Sequence, residues 1–278
     1  MIIWLASYPK SGNTLVRALL SSFFYSETGF FDFELVKYIP QFPKKIFFDK
    51  IGVDVNNRSL VVKNYIEAQK EINKNKKKKF LKTHGSFCKL ENKYEFTDLN
   101  NSLGVIYIVR DPRNVVTSLA HHFDVKIDDA YEKLKNNSVY GDTKNVAPSY
   151  VGSWGFNYIS WREFKKFDKY LVVKYEDLIS DTKNTLIKMI KFVEKISNSK
   201  IELKKNKILN SIESTDFERL KSLENEKGFN EAYKNKKGET INFFNLGAQN
   251  KWQNKLDVKI RLEIERIFKT EMMELNYL

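Results

Sequence analysis

The chain has 278 residues, 42% of them hydrophobic and 14% aromatic, with only 5 prolines and 11 glycines, which excludes a disordered, collagenous or low-complexity polymer and suffices to bury a sizeable core. One cysteine excludes a disulfide scaffold and a multi-cysteine metal site, and Cys88 is expected to be a small buried hydrophobe. With 48 lysines and arginines against 35 acids the formal charge is +13, so the surface attracts anions: nucleic acid, anionic lipid or a polyphosphorylated small molecule.

Ile2 to Ala6 is a short apolar run that meets Ser7-Tyr8-Pro9-Lys10-Ser11-Gly12-Asn13, after which Leu15, Val16, Ala18, Leu19, Leu20, Phe23 and Phe24 recur at helical spacing. This predicts a strand, a tight loop and a buried helix. A further strand is expected at Phe80–Thr83. The first grammar returns at Gly104 to Val109, a run that stops at Arg110-Asp111-Pro112-Arg113 before a helix from Asn114 to about Phe123. A strand at Leu171–Tyr175 is followed by a helix with Leu186, Ile190 and Val193 on one face, and a last helix after Asp257 carries Ile260, Ile264, Ile267 and Leu275. Strands separated by helices imply an α/β fold, a single domain over 1–278 with a mostly parallel central sheet flanked by helices. Residues 30–79, which include the basic run Lys74 to Lys79, and 125–150 show weaker periodicity. Residues 200–245 are polar, and a lid is expected within 200–250. No run reaches about 18 apolar residues and the start lacks a basic leader, so neither a membrane span nor a signal peptide is expected and the protein is read as cytoplasmic.

The first loop carries most of the chemistry. A strand that turns through Lys10, Ser11 and Gly12 into a helix aims unpaired backbone N–H groups and the positive helix end at one point, an anion cradle. Gly12 permits close backbone approach, Lys10 adds a charge, and Ser11 and Thr14 add hydroxyl donors. The loop is P-loop-like, but the lysine precedes Ser11-Gly12 and Ala6 stands where a first glycine is sought, so a Walker A loop is disfavoured. Alone, the segment is equally an ordinary strand-to-helix turn with a surface lysine. In the second unit Arg110 ends a strand and Ser118 follows about two helical turns on, where open α/β sheets bind ligands. The pair suits a phosphate, one as a planar fork and one as a hydroxyl, although singly each also reads as an ordinary surface or helix residue.

These segments together resemble the PAPS-dependent sulfotransferases of the cytosolic type. Tyr8-Pro9-Lys10-Ser11-Gly12-Asn13-Thr14 is similar to their 5′-phosphosulfate loop, and Ile106 through Arg110 to Ser118 to their 3′-phosphate segment. Phe80-Leu81-Lys82-Thr83-His84 matches their Lys-Thr-His segment, Val173-Lys174-Tyr175-Glu176-Asp177 their Tyr-Glu-Asp element, and Gly247 to Trp252 an element near the C-terminus. The resemblance implies that Lys10, Ser11, Gly12, Asn13 and Thr14 bind the 5′-phosphosulfate, that Arg110, Ser118 and Gly247 bind the 3′-phosphate, and that Tyr175 lies near the adenine. It makes His84 the general base, PAPS the co-substrate and PAP the product; Lys10 is placed to neutralise the charge growing on the leaving oxygen, and Lys82, two residues before His84 and on the same side of a continuing strand, to assist. A histidine of ordinary pKa about 6.5 suits removal of a proton from an acceptor. No metal requirement is expected, since no acidic or cysteine-histidine cluster is evident. The expected acceptor is a small molecule or glycan with a hydroxyl or amine; no nucleic-acid partner is expected, and a homodimer is left open.

The sequence departs from that pattern in two places. Where the family commonly has Arg-Lys-Gly five residues before a tryptophan, this chain has Asn245-Leu246-Gly247 before Trp252; Lys236-Lys237-Gly238 lies nine residues upstream. The family's serine after Thr215 is also absent, Asp216 standing before Phe217. Two other readings remain at this level: a nucleotide-dependent kinase, which requires magnesium and an acidic ligand, and a basic nucleic-acid binder using Lys74 to Lys79, whose affinity would fall steeply with salt.

Overall fold

The computed structural model describes residues 1–136, 138–140, 147, 149–235 and 237–278. Four apolar runs form a parallel sheet: β1 (Ile2–Ser7), β2 (Lys79–Thr83), β3 (Ser102–Val109) and β4 (Tyr170–Lys174), in the spatial order β2-β1-β3-β4. Successive side chains of a strand point to opposite faces. Trp4 and Ala6 therefore join Leu81, Val105, Tyr107 and Val109 in one core, while Ile3 and Leu5 join Phe80, Ile106, Ile108 and Val173 in the other. Covering on both faces explains why these strands read as unbroken apolar runs instead of alternating ones.

Helix α1 (Asn13–Tyr25) follows β1, α2 (Pro112–Phe123) follows β3, and α3 (Tyr175–Ser180) and α4 (Thr182–Ser197) follow β4. Val16, Leu19, Leu20 and Phe23 of α1 pack with Leu186, Met189, Ile190 and Val193 of α4 on one face of the sheet. The other face is aromatic: the Trp4 ring lies 5.5–5.9 Å from those of Phe42, Phe96 and Trp161. Trp161 belongs to the helix Trp154–Arg162, whose buried side, with Trp154, Asn157 and Trp161, lies on this face.

Several sequence expectations need correction. Tyr175 opens α3 instead of ending a strand, because the β3–β4 ladder stops at the Val109–Lys174 pair. The polar stretch 200–250 also holds two helices that its composition did not signal, α5 (Lys205–Ser214) and α6 (Phe217–Lys227). Ile208 and Ser211 bury one face of α5, a pattern diluted in sequence by the lysines and asparagines on its exposed side. The last helix is broken into α7 (Val258–Ile267) and α8 (Lys269–Glu274) at Phe268, whose ring packs 5.3 Å from Trp154, and Leu275 lies beyond both. Residues 30–79 contain helices too short to give a periodic signal, such as Lys45–Asp49 and Arg58–Lys63. Cys88 is half-buried rather than buried, with its thiol pushed up to about 11 by what burial it has. Lys74 to Lys78 are exposed, and Lys79 begins β2. Lys236 lies outside the described residues, as does part of 125–150. Among the described residues no helix is long and apolar enough to cross a membrane.

Candidate functional site

Each of the four strands delivers a site residue at its carboxyl end. The 8–12 loop leaves β1, His84 follows Thr83 of β2, Arg110 follows Val109 of β3, and Tyr175 follows Lys174 of β4. The register puts Ala6 beside Thr83, Ser7 beside Ile108 and Val109 beside Lys174, so these residues emerge along one edge. They surround a cavity of about 400 Å³, whose walls also include Thr14, Ser118, Glu231 and Phe243.

The first wall is the cradle. Lys10 has φ 65° and Gly12 φ 100°, two left-handed residues that turn the chain into α1. No side chain caps α1 at Gly12, and Val16 N–H is bonded to Gly12 O, so the first-turn amides before it are available to a ligand. Gly12 has a steric reason too: a Cβ there would lie 2.5 Å from Cδ2 of Tyr175. Ser11 is 1% exposed and its Oγ has no protein hydrogen-bond partner. Asn13 differs from its neighbours, since its Nδ2 donates to Leu5 O (2.9 Å) and Ser7 Oγ (3.1 Å), tying α1 to β1 and leaving the backbone N–H as its donor toward the cavity. The Lys10 ammonium lies 3.7 Å from the centre of the Phe243 ring. Burial lowers its pKa to about 7; Lys82 and Arg110 add to the shift, and Glu231 opposes it.

The second wall joins β2 to the segment after α6. His84 Nδ1 lies 2.9 Å from Ser7 O and 3.2 Å from Ser7 Oγ; the shorter contact, to a carbonyl, favours the proton on Nδ1, which leaves Nε2 as the basic nitrogen of the neutral ring. Burial, reinforced by Lys82, lowers the His84 pKa to about 3, well below the ordinary value expected from the sequence, because the ring is enclosed beside a cation; it is neutral at physiological pH. Lys82 Nζ donates to Glu231 Oε2 at 2.8 Å, Thr14 Oγ1 donates to the same oxygen at 3.2 Å, and Arg17 Nη1 pairs with Oε1. Burial opposes ionisation of Glu231, but Lys82 and Arg17 outweigh it and hold the carboxyl well below the usual carboxylate range. Burial likewise lowers the pKa of Lys82, which Glu231 offsets in part.

The third wall is built on Arg110. Its guanidinium carbon lies 4.1 Å from the centre of the Tyr175 ring, Nη1 reaches Lys10 O (3.4 Å) and Nη2 reaches Gly247 O (3.2 Å). Arg110 Nε is buried without a hydrogen-bond partner. Ser118 lines the same cavity from α2, with Lys255 and His121 also on its wall. Gly247, at φ 52°, packs where a Cβ would meet the Phe217 ring at 2.6 Å. The two departures noted in the sequence lie here. Thr215 Oγ1 donates to Ser211 O at 2.7 Å, and Asp216 caps α6 by accepting from Glu218 N at 3.0 Å.

The structure therefore gathers Lys10, Gly12, Asn13, Thr14, Lys82, His84, Arg110, Ser118, Tyr175 and Gly247 around one space, whereas Ser11, buried in the same loop, does not line it. Sequence reasoning missed Arg17, Glu231 and the helix behind the site. Arg17 had a visible signal: it lies three residues after Thr14, on the same side of a helix whose neighbours are apolar. Behind the site, Trp154 Nε1 donates to Arg110 O (3.2 Å), Trp161 Nε1 to Gly85 O (2.9 Å) and Asn157 Nδ2 to His84 O (3.0 Å). Trp154 and Trp161 are thus fully buried core residues that fix the backbone of two site loops. Among the described residues no group of three or more His, Cys, Asp or Glu is placed to hold a metal ion.

A family model described as the sulfotransferase domain matches residues 2–276. The rabbit (Oryctolagus cuniculus) amine sulfotransferase is 27% identical over 180 residues, 63% of this chain and 56% of that protein. A 3-beta-hydroxysteroid sulfotransferase of Cavia porcellus is 28% identical over 171 residues, 60% of this chain and 55% of the relative. The chain thus spans a little over half the length of these curated relatives. A mouse sulfotransferase solved with PAP superposes with a TM-score of 0.58 at 19% identity, over 98% of this chain and 84% of that one. Retinol dehydratase in a complex with retinol and PAP gives 0.58 at 17% identity, over 98% and 81% of the two chains.

Proposed function

Starting from the fact that this chain belongs to the sulfotransferase domain family, we propose that it moves a sulfuryl group from PAPS to a hydroxyl or amine of a small-molecule or glycan acceptor, releasing PAP. The observation that carries this reading is the convergence of a neutral, oriented histidine, the buried Lys82, the half-buried Lys10 and a stacked arginine on one cavity at the carboxyl edge of the sheet. Residues 1–278 act as one functional unit with a lid within 200–250, a reading supported by Phe217, Glu231 and Phe243 on the cavity wall.

The polar groups present suit such a donor. Ser11 Oγ and Arg110 Nε are buried donors without protein partners, a state that costs about 1–3 kcal/mol each unless a ligand or water satisfies them. The amides of 10–14, with Ser11 and Thr14, are the binding groups for the 5′ end. Arg110 and Ser118 are those for the 3′-phosphate, with Gly247 at its edge, and Tyr175 is the packing surface for the base. Bound there, PAPS supplies an activated sulfuryl group. His84 Nε2 takes the acceptor's proton, while Ser7 O holds Nδ1–H and so fixes the tautomer. Lys10 and Lys82 hold positive charge where negative charge grows on the leaving side; removing one such preorganised donor costs about 2.7–4 kcal/mol in other enzymes. The relatives are named for amines and hydroxysteroids, which supports a hydroxyl or amine as the acceptor group.

Thermal unfolding with added nucleotide tests this reading. PAP at about 100 times its dissociation constant should stabilise the protein by about 2.7 kcal/mol. A melting temperature unmoved by PAP but raised by ATP overturns it.

A further inference from the structure

Three donors converge on the Glu231 carboxylate: Arg17 on Oε1, and Lys82 and Thr14 on Oε2. The donors are built into the body of the fold. Arg17 and Lys82 side chains are each 4% exposed, and Arg17 is held by Ile39 O (3.1 Å from Nε, 2.9 Å from Nη2) and Val36 O (3.3 Å from Nη2). Glu231 is different. It is 25% exposed and sits in the turn between α6 and a two-residue ribbon, where Ala232 N–H bonds back to Phe229 O. Two fixed cations and a hydroxyl thus meet a carboxylate carried on a short turn.

We propose that Arg17, Thr14 and Lys82 form an oxyanion subsite at the inner end of the cavity, and that Glu231 is its internal ligand, displaced when a phosphate or sulfo oxyanion enters. The assignment of that oxyanion to PAPS rests on the function proposed above; the subsite itself rests on the three contacts. Two arguments set Glu231 and an incoming oxyanion in competition. The Thr14 hydroxyl has a single hydrogen, which Glu231 Oε2 now receives, so an oxyanion in the cradle competes for it. A second anion beside the Glu231 carboxylate would also meet like-charge repulsion in a poorly screened interior. The carboxylate neutralises a cluster that also includes Lys10 and Arg110, and an incoming oxyanion takes over that task. Glu231 thereby makes opening of the 228–232 turn part of ligand entry.

Calorimetric titration of the full chain and Glu231→Gln with PAP, and then of both PAP-saturated proteins with inorganic sulfate, tests the proposal. Glu231→Gln should bind PAP, or sulfate on top of PAP, about tenfold more tightly, equivalent to about 1.4 kcal/mol. A crystal structure of the unaltered protein with PAP and sulfate gives an independent answer if the variant does not fold. Glu231 should have left Arg17 and Lys82, with an oxyanion in its place. Displacement by PAP alone identifies the phosphate as the ligand, and displacement only after sulfate is added identifies the sulfo group. Equal affinities in the two proteins, or Glu231 still paired with PAP and sulfate both bound, overturns the subsite and leaves the PAPS reading standing. Sulfate binding more tightly to the variant while neither protein binds PAP removes the PAPS reading and keeps the subsite.

Discussion

Asn157 donates its side-chain amide to the carbonyl oxygen of His84 at 3.0 Å, across 73 residues of sequence. The same nitrogen reaches Ser86 Oγ and Val151 O, and its Oδ1 accepts from Tyr107 OH at 2.8 Å. One fully buried residue therefore links the proposed base to the sheet. Asn157→Leu should lower stability by about 3 kcal/mol or more, because several buried polar groups lose their partner at about 1–3 kcal/mol each. Turnover should fall further than the loss of folded protein explains, since a displacement of about 1 Å at a catalytic group costs about 100-fold. Denaturant unfolding alongside kcat checks both; unchanged kcat in the folded fraction would free His84 from this tether.

His84→Ala should abolish sulfuryl transfer while PAP affinity changes by less than about twofold, because the ring's assigned role is to accept a proton. The pH profile adds a second readout. With a His84 pKa of about 3 in the free enzyme, kcat/KM should show no acid limb from this residue between pH 5 and 7. Full transfer activity in the variant removes His84 from the mechanism.

Lys10 gives the nucleotide a pH dependence of definite sign. Its ammonium is protonated below its pKa of about 7 and loses charge above it, so PAP affinity should fall as pH rises from about 7.5 to 9, beyond the phosphate's own titration near about 6. Bound PAP favours the charged form and moves the inflection upward in the complex. Lys10→Arg, which keeps its charge, should flatten the curve; calorimetry across this range would show parallel slopes if Lys10 is not the titrating group.

Gly12→Ala combines two faults. Its φ of 100° disfavours any side chain, and the new Cβ meets the Tyr175 ring at 2.5 Å. Loss of about 1–3 kcal/mol is expected from the backbone alone, with weaker PAP binding as Tyr175 moves from Arg110. Adding Tyr175→Ala should recover only the steric part, which a double-mutant cycle measures directly.

Much of the fold was legible because its signals are local. The apolar runs of the four strands and the loop from Tyr8 to Thr14 lie within a few residues of one another, and both are visible in a short window. Arg110 and Ser118 were legible for the same reason, eight residues apart on one strand-to-helix unit. The Arg17–Glu231 pair joins residues 214 positions apart, and nothing in the polar stretch around Glu231 marks one acid among many. Trp154, Asn157 and Trp161 were hidden differently: their sequence pattern fits ordinary core packing, and their hydrogen bonds to Arg110, His84 and Gly85 exist only once the helix lies on the sheet. The missing cations near Gly247 illustrate the same limit, because Lys255 reaches the cavity wall from outside the compared motif.

The gathering of one group from the end of every strand has a consequence for how errors in folding would show themselves. A shift of any strand by a single position would send its alternate side chains to the wrong core and carry its terminal group about 3.3 Å along the sheet. Misaligned molecules that still look folded by helix content would then be inert, so the fraction of active protein after refolding measures correct pairing across the whole sheet.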